Sequence, residues 1–208
     1  MAKDLAKILE YTHIDSGAMY RAVTYHILEC GIEPTNHRAI EEQLIHINIR
    51  FDRREGNNRT ILNDNDVEDQ IRTMVVSKSV SEVSTIPKVR SFLVDQQRKL
   101  ARGGGVIMDG RDIGTVVFPN ADVKLFVTAS VDIRANRRHA ELAGKGIELN
   151  LKEVKENLET RDHIDSTRED SPLRQADDAY LLDTSDKDRG EMVVSAIQTI
   201  HQHINKTS

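Results

Sequence analysis

The sequence predicts an α/β protein built on a parallel sheet. Three observations carry that expectation. Short apolar runs at 11–14, 106–108, 123–127 and 179–182 have the length of buried strands. Segments with apolar residues at helical spacing lie between them, the alternation that gives a parallel sheet. Hydrophobic residues make up 38% of the 208 residues, which can fill one core.

Each element follows from a local pattern. Met1, Leu5, Ile8 and Leu9 recur at helical spacing, so the first segment is a helix that opens without a cap. Residues 11–14 form a strand, and Asp15-Ser16-Gly17 turns into a helix near 18–30 that Gly31 stops. A helix covers 36–46. Residues 47–52 alternate with period 2. A Gly56-Asn57-Asn58 turn, a strand at 60–62 and a stretch near Val67 complete a small antiparallel meander. Residues 70–84 and 87–101 read as two helices. Pro87 suits a first helical turn, and Val89, Phe92, Leu93 and Leu100 make an apolar face. Gly103-Gly104-Gly105 breaks the pattern before the strand at 106–108. Ser130 is the candidate cap of a helix over 131–143, stopped by Gly144 and Gly146. A long polar helix spans 151–170, and an amphipathic helix over 188–204 follows the last strand.

Bulk composition narrows the function. Net charge is −5 and the pI about 5.9, which argues against a nucleic-acid footprint, since that needs a broad basic surface. No apolar run approaches membrane-spanning length, and Met1-Ala2-Lys3-Asp4 is no signal peptide. Cys30 is the only cysteine, so no internal disulfide can form, as in a reducing cytoplasm. Near a helix end it reads as an inert packing residue. His201 and His203 do not converge on one helical face and read as solvent-exposed. No histidine–cysteine cluster has zinc spacing.

Three segments carry chemistry. Met108-Asp109-Gly110-Arg111-Asp112 puts two acids and an arginine directly after a buried strand, where α/β sheets bind ligands. Arg111 could orient a phosphate by bidentate hydrogen bonds, or it could simply hold a turn by Asp–Arg pairing. In Asp15-Ser16-Gly17-Ala18-Met19-Tyr20-Arg21, a helix N-terminus favours an anion that Arg21 could also reach. Equally, Ser16 or Asp15 could be a plain cap. Arg134, Arg137 and Arg138 share a helical face, as do Arg161, Asp165 and Arg168. These could be solvated faces. The lack of matching acids around 134–138 favours a polyphosphate partner instead.

Together, the stretches Asp15–Arg21 and Asp109–Thr115 resemble the two signature sequences of bacterial cytidylate kinases. The meander, the Arg161…Asp165…Arg168 pattern and Asp183-Thr184-Ser185 fit as well, and the resemblance runs from residue 1 to about 205. It implies a P-loop NTPase-like fold with parallel sheet, an antiparallel insertion and a helical lid. The implied division is a core of 1–33, 103–130 and 175–208, a monophosphate-binding lobe over 34–102 and a lid over 131–174. The implied reaction is phosphoryl transfer from ATP, carried with Mg²⁺, to CMP or dCMP, in a cytoplasmic monomer that needs neither nucleic acid nor membrane. Ser16, Arg21 and Arg111 would hold the CMP phosphate, next to Asp109. Ser81, Arg90 and Asp112 would read the cytosine edge. Arg161, Asp165 and Arg168 would bind the ribose and the transferring phosphate. Arg134 and Arg138 would belong to the lid over ATP.

One departure stands out. Such kinases open with a strand and a G-x-x-x-x-G-K-[ST] loop that cradles the donor phosphates, and no such stretch occurs in these 208 residues. The expectation is a truncated start, the strands at 106–109 and 123–127 left without the shared neighbour that the resemblance implies, and a chain that binds CMP but transfers phosphate poorly. The alternative is an inactive CMP-binding relative.

Overall fold

The computed structural model describes residues 1–54, 57–144 and 146–207. Helix α1 (Ala2–Ile8) leads into strand β1 (Thr12–Asp15) and helix α2 (Ser16–Glu29). Helix α3 (His37–Gln43) is followed by a meander of β2 (Ile49–Arg54), β3 (Asn57–Leu62) and β4 (Asn65–Asp66). Helices α4 (Met74–Val83) and α5 (Pro87–Leu100) return the chain to strand β5 (Val106–Asp109). Strand β6 (Leu125–Thr128), helices α6 (Val131–Ala143) and α7 (Leu151–Thr167), strand β7 (Tyr180–Asp183) and helix α8 (Arg189–Thr207) complete the order.

The parallel strands form two pairs. β1 lies beside β5, and β6 beside β7. Among the described residues no ladder joins β5 to β6. The gap falls between the two strands that the resemblance gives a shared neighbour. The main core surrounds α2, whose Ala18, Met19, Ala22, Val23 and Ile27 are fully buried. Ile14, Ile40, Ile71, Val83, Val89 and Leu93 close around it, so the meander, α4 and α5 share one core with β1. A smaller cluster joins Leu5 of α1 to Leu182, Val193 and Ala196.

Several boundaries move for identifiable reasons. α2 begins at Ser16 rather than 18, because Asp15 is its cap and accepts from the Ala18 amide at 2.8 Å. The helix expected over 70–84 is two pieces. Thr73 is extended (ψ 158°), so a 3₁₀ turn at Gln70–Arg72 precedes α4. That turn buries Ile71 in the core. The helix over 36–46 likewise ends in a 3₁₀ turn at Leu44–His46. Asn57 and Asn58 belong to β3, and the remainder of the expected turn, at Gly56, lies outside the described residues. Residues 113–117, unassigned from sequence, make one π-helical turn. Arg98 of α5 caps its carbonyls, donating to Val116 O at 2.8 Å and Val117 O at 3.0 Å.

Two side chains are not where the sequence puts them. Cys30 is exposed rather than packed, beside His26 and Gln43. His203 is half-buried, and its Nδ1 hydrogen-bonds the Tyr180 hydroxyl at 3.0 Å across α8 and β7. His201 is exposed as expected. Among the described residues no helix is long and apolar enough to cross a membrane.

Met19 has no exposure at the centre of the core, whereas Ile45 is 83% exposed. Met19→Ala should therefore cost about 3 kcal/mol of stability, and Ile45→Ala less than about 0.5 kcal/mol, in urea denaturation. Similar losses in both would mean that α2 is not the centre of packing.

Candidate active site

The site begins at the carboxyl ends of β1 and β5. Their parallel register sets Asp15 opposite Asp109, so two acids stand side by side. Asp15 is drawn down as the cap of α2. Ser16, the first helical residue, donates from Oγ to the Asp109 carbonyl at 2.7 Å and pins one strand end to the other. Gly110 makes this possible: a Cβ there would lie 2.3 Å from Ser16 Oγ. The Asp109 carboxylate is half-exposed and hydrogen-bonds His13 Nε2 at 2.5 Å.

Asp15 also anchors two arginines. Its Oδ2 accepts from Arg21 Nη2 at 3.0 Å and from Arg72 Nη2 at 3.4 Å. Burial alone would raise the Asp15 carboxyl, but Arg21, the Ala18 amide and Arg72 more than reverse it and hold it below 3.8. Arg72 is set in turn by Glu68, to which it donates from Nε at 2.7 Å and again from Nη2. The second Glu68 oxygen accepts from Thr60 of β3, from N at 3.1 Å and from Oγ1 at 2.7 Å.

A second group lies at the base of α5. Arg90 and Asp112 form a buried ion pair, at 2% and 5% exposure. Arg90 also donates to Ser84 O at 3.1 Å and stands 5.7 Å from the Tyr20 ring centroid. Asp170 approaches the Arg90 Nε at 3.6 Å. Burial pushes the Tyr20 phenol up to about 12, so it remains protonated at neutral pH. Ser81 is one turn of α4 away; its carbonyl accepts from Ser84 Oγ at 2.8 Å.

Between these groups lies a cationic centre. Arg111 crosses to α7 and donates from Nε to Asp165 Oδ2 at 2.8 Å. Arg168, which closes α7, approaches Asp165 Oδ1 at 3.3 Å and donates to Ser171 O at 2.8 Å. Arg161 makes no hydrogen bond or ion pair with the described residues. Its guanidinium pKa is lowered, chiefly by burial and then by the charges of Arg111, Arg21 and Arg138, against the pull of Asp165. Arg21 Nε and Arg168 Nη2 are buried without hydrogen-bond partners. Asp165 is the one acid paired with Arg111 and Arg168 among the described residues, and Arg161 adds a third guanidinium, so a positive potential stands here that an anion would relieve.

Two readings of the sequence are corrected by these contacts. Arg111 does not hold a local turn, since it bypasses Asp109 and Asp112 for Asp165, 54 residues on. Nor are the α6 arginines uncompensated. Arg134 pairs with Asp162 of α7 at 2.7 Å, and Arg138 with Glu141, three residues on in α6, at 2.7 Å; the first acid comes from another helix, the second is an i,i+3 neighbour. Arg137 turns the other way, donating to Thr184 Oγ1 at 3.1 Å and to the carbonyls of Thr184 and Lys187 at 2.5 and 2.8 Å.

The match to known proteins follows this layout. A family model described as Cytidylate kinase matches residues 1–202. A cytidylate kinase of Bacteroides fragilis is 52% identical over 190 residues, covering 89% of this chain and 83% of that protein. One from Parabacteroides distasonis is 49% identical over 210 residues, covering 98% and 91%. One from Carboxydothermus hydrogenoformans is 44% identical over 200 residues, covering 96% and 90%. The chain belongs to the cytidylate kinase family.

As a cytidylate kinase family member it is a nucleoside-monophosphate kinase, a transferase with ATP as donor. The sequence reading missed Arg72, Glu68, Tyr20 and Asp170 around its arginines. Tyr20 alone had a visible signal, inside the first signature stretch. Among the described residues no three or more His, Cys, Asp or Glu gather to hold a metal ion.

Asp15 gives a pH test. Its folded carboxyl is held below its unfolded value, so its charge contributes stability above that value and loses it as pH falls through the folded one. Asp15→Asn keeps a capping side chain but removes the charge. The stability difference from wild type should be flat between about pH 7 and 5 and close below about pH 4. Urea melts at each pH read it, and a gap that widens on acidification would contradict the assignment.

Proposed function

We propose that the chain phosphorylates CMP, and dCMP as a second acceptor, with ATP as donor, in pyrimidine nucleotide metabolism. The observation that carries this reading is the cluster in which Arg111 and Arg168 share Asp165 while Arg161 has no hydrogen bond or ion pair among the described residues, together with the buried Arg90–Asp112 pair. Ser16, Arg21 and Arg111 hold the acceptor phosphate near Asp109. Ser81, Arg90 and Asp112 read the base: a carboxylate accepts from the cytosine amino group, and uracil offers a carbonyl oxygen there instead. Arg161, Asp165 and Arg168 serve the ribose and the transferring phosphoryl group, and Arg134 and Arg138 the donor.

An oxygen of the CMP phosphate attacks the γ-phosphorus of ATP in line. The bond to the β-phosphate oxygen breaks, and ADP leaves with that electron pair. Charge spreads over the equatorial oxygens, which the arginines stabilise without a general base. Mg²⁺ enters with the donor phosphates rather than in a protein cage. The G-x-x-x-x-G-K-[ST] cradle for those phosphates is not in these 208 residues, so the sharpest test is set on the acceptor. The division into core (1–33, 103–130, 175–208), monophosphate lobe (34–102) and lid (131–174), a monomeric state and a cytoplasmic location belong to the same proposal. A CMP-binding protein without transfer finds no support, since the relatives compared are cytidylate kinases.

Titration calorimetry should show CMP bound at least about tenfold more tightly than AMP or UMP, the scale of one edge contact. Asp112→Asn should erase most of that preference, and Arg111→Ala should weaken all monophosphates alike. Equal affinity for CMP and AMP in the wild type, or the same loss of selectivity in both variants, would overturn the assignment. With ATP, CMP-dependent ADP release follows the same order of acceptors.

A further inference from the structure

Asp15 carries two loads on one carboxylate. Oδ1 caps α2, and Oδ2 accepts from two guanidinium groups of different origin. Arg21 belongs to α2 itself, and its Nε is buried with no partner. Arg72 comes from the 3₁₀ turn beyond the meander and stands farther off, at 3.4 Å against 3.0 Å.

A dianionic phosphate at this helix end competes with Asp15 for Arg21. Arg21 meets Asp15 through one hydrogen bond, from Nη2, so a phosphate that takes its other donors draws the guanidinium off the carboxylate. When Arg21 turns, a capping carboxylate that is mostly out of water loses its nearer cation, and an unpaired buried charge is costly. Arg72 already stands at the same oxygen. Glu68 balances its charge, and Thr60 fixes Glu68 to β3. The groups facing Asp15 are then Arg21 from α2, Arg72 from the turn after the meander and His13 from its own strand.

We infer that Arg72, set by Glu68, is a positioning residue for the monophosphate site: it keeps Asp15 paired while Arg21 turns to the phosphate. The same contact makes the antiparallel meander respond to that event, because Glu68 ties Arg72 to β3. The inference rests on the reading that Arg21 holds the acceptor phosphate.

The experiment titrates CMP and its phosphate-free counterpart cytidine into wild type, Arg21→Gln, Arg72→Gln, Arg72→Lys and the double Gln variant. Arg21→Gln should weaken CMP about a hundredfold, as loss of a charged phosphate contact does, and spare cytidine. Arg72→Gln should weaken CMP about tenfold, within the usual range of coupling between sites, and leave cytidine within about twofold. Arg72→Lys should recover most of that loss, since a cation is what Asp15 needs. The double variant should bind CMP no more weakly than Arg21→Gln alone, because Arg72 acts through Arg21.

The outcomes separate the two ideas. CMP affinity unchanged in Arg21→Gln would sink the phosphate reading itself. A large loss in Arg21→Gln with none in Arg72→Gln overturns only the inference. So does an equal loss of cytidine, or full additivity in the double variant. Should Arg72→Gln fail to fold, Glu68→Gln leaves the arginine in the chain but weakens its anchor, and an unchanged CMP affinity there overturns the inference as well.

Discussion

The hydrogen bond from the Ala18 amide to the Asp15 carboxylate is the contact on which the rest of the molecule turns. It ends β1, starts α2 and fixes the direction in which the most buried helix enters the core. With that direction set, Ser16 meets the end of β5, and Arg21 folds back one turn later onto the same carboxylate. A cap is worth only about 1 kcal/mol on its own. Here it also decides where a strand end, a helix dipole and a guanidinium converge.

Around that junction the protein keeps more positive charge than it neutralises. Arg111 and Arg168 share Asp165, and Arg161 stays without a partner among the described residues. Burying guanidinium groups in this way opposes folding, and stability alone gives no reason for it. Strain of this kind at a site is what ligand binding relieves. Arg90 and Asp112 differ: they neutralise each other in full burial and so give shape and hydrogen-bonding character rather than net charge.

Much of the architecture was legible because its signals are local. The apolar runs found all four parallel strands, and the glycine and serine punctuation found the ends of α2 and α6. What was not legible depends on distant partners. Nothing near residue 73 breaks the helical period of 70–84; the break follows from burying Ile71. Arg134 looked unbalanced because Asp162 lies on another helix, whereas the partner of Arg138, Glu141, was within reach of i,i+3 spacing and was overlooked. Arg72 gave no signal, since its contact with Asp15 spans 57 residues. The signature stretches proposed Arg21, Arg111 and Asp112 as site residues, but neither spacing nor resemblance could show that Arg111 and Asp112 choose different partners.

The grip of Arg98 on the π-helical turn has a consequence for the neighbouring ion pair. Arg90 and Arg98 are both on α5, and Asp112 leads directly into the turn whose carbonyls Arg98 holds. Two elements joined at both places behave as one rigid jaw. The gap between Arg90 and Asp112 is therefore set by the fold before any ligand arrives. Side chains that are already immobile lose little further freedom on association, so a planar ring entering beside that pair would meet a mould rather than have to make one.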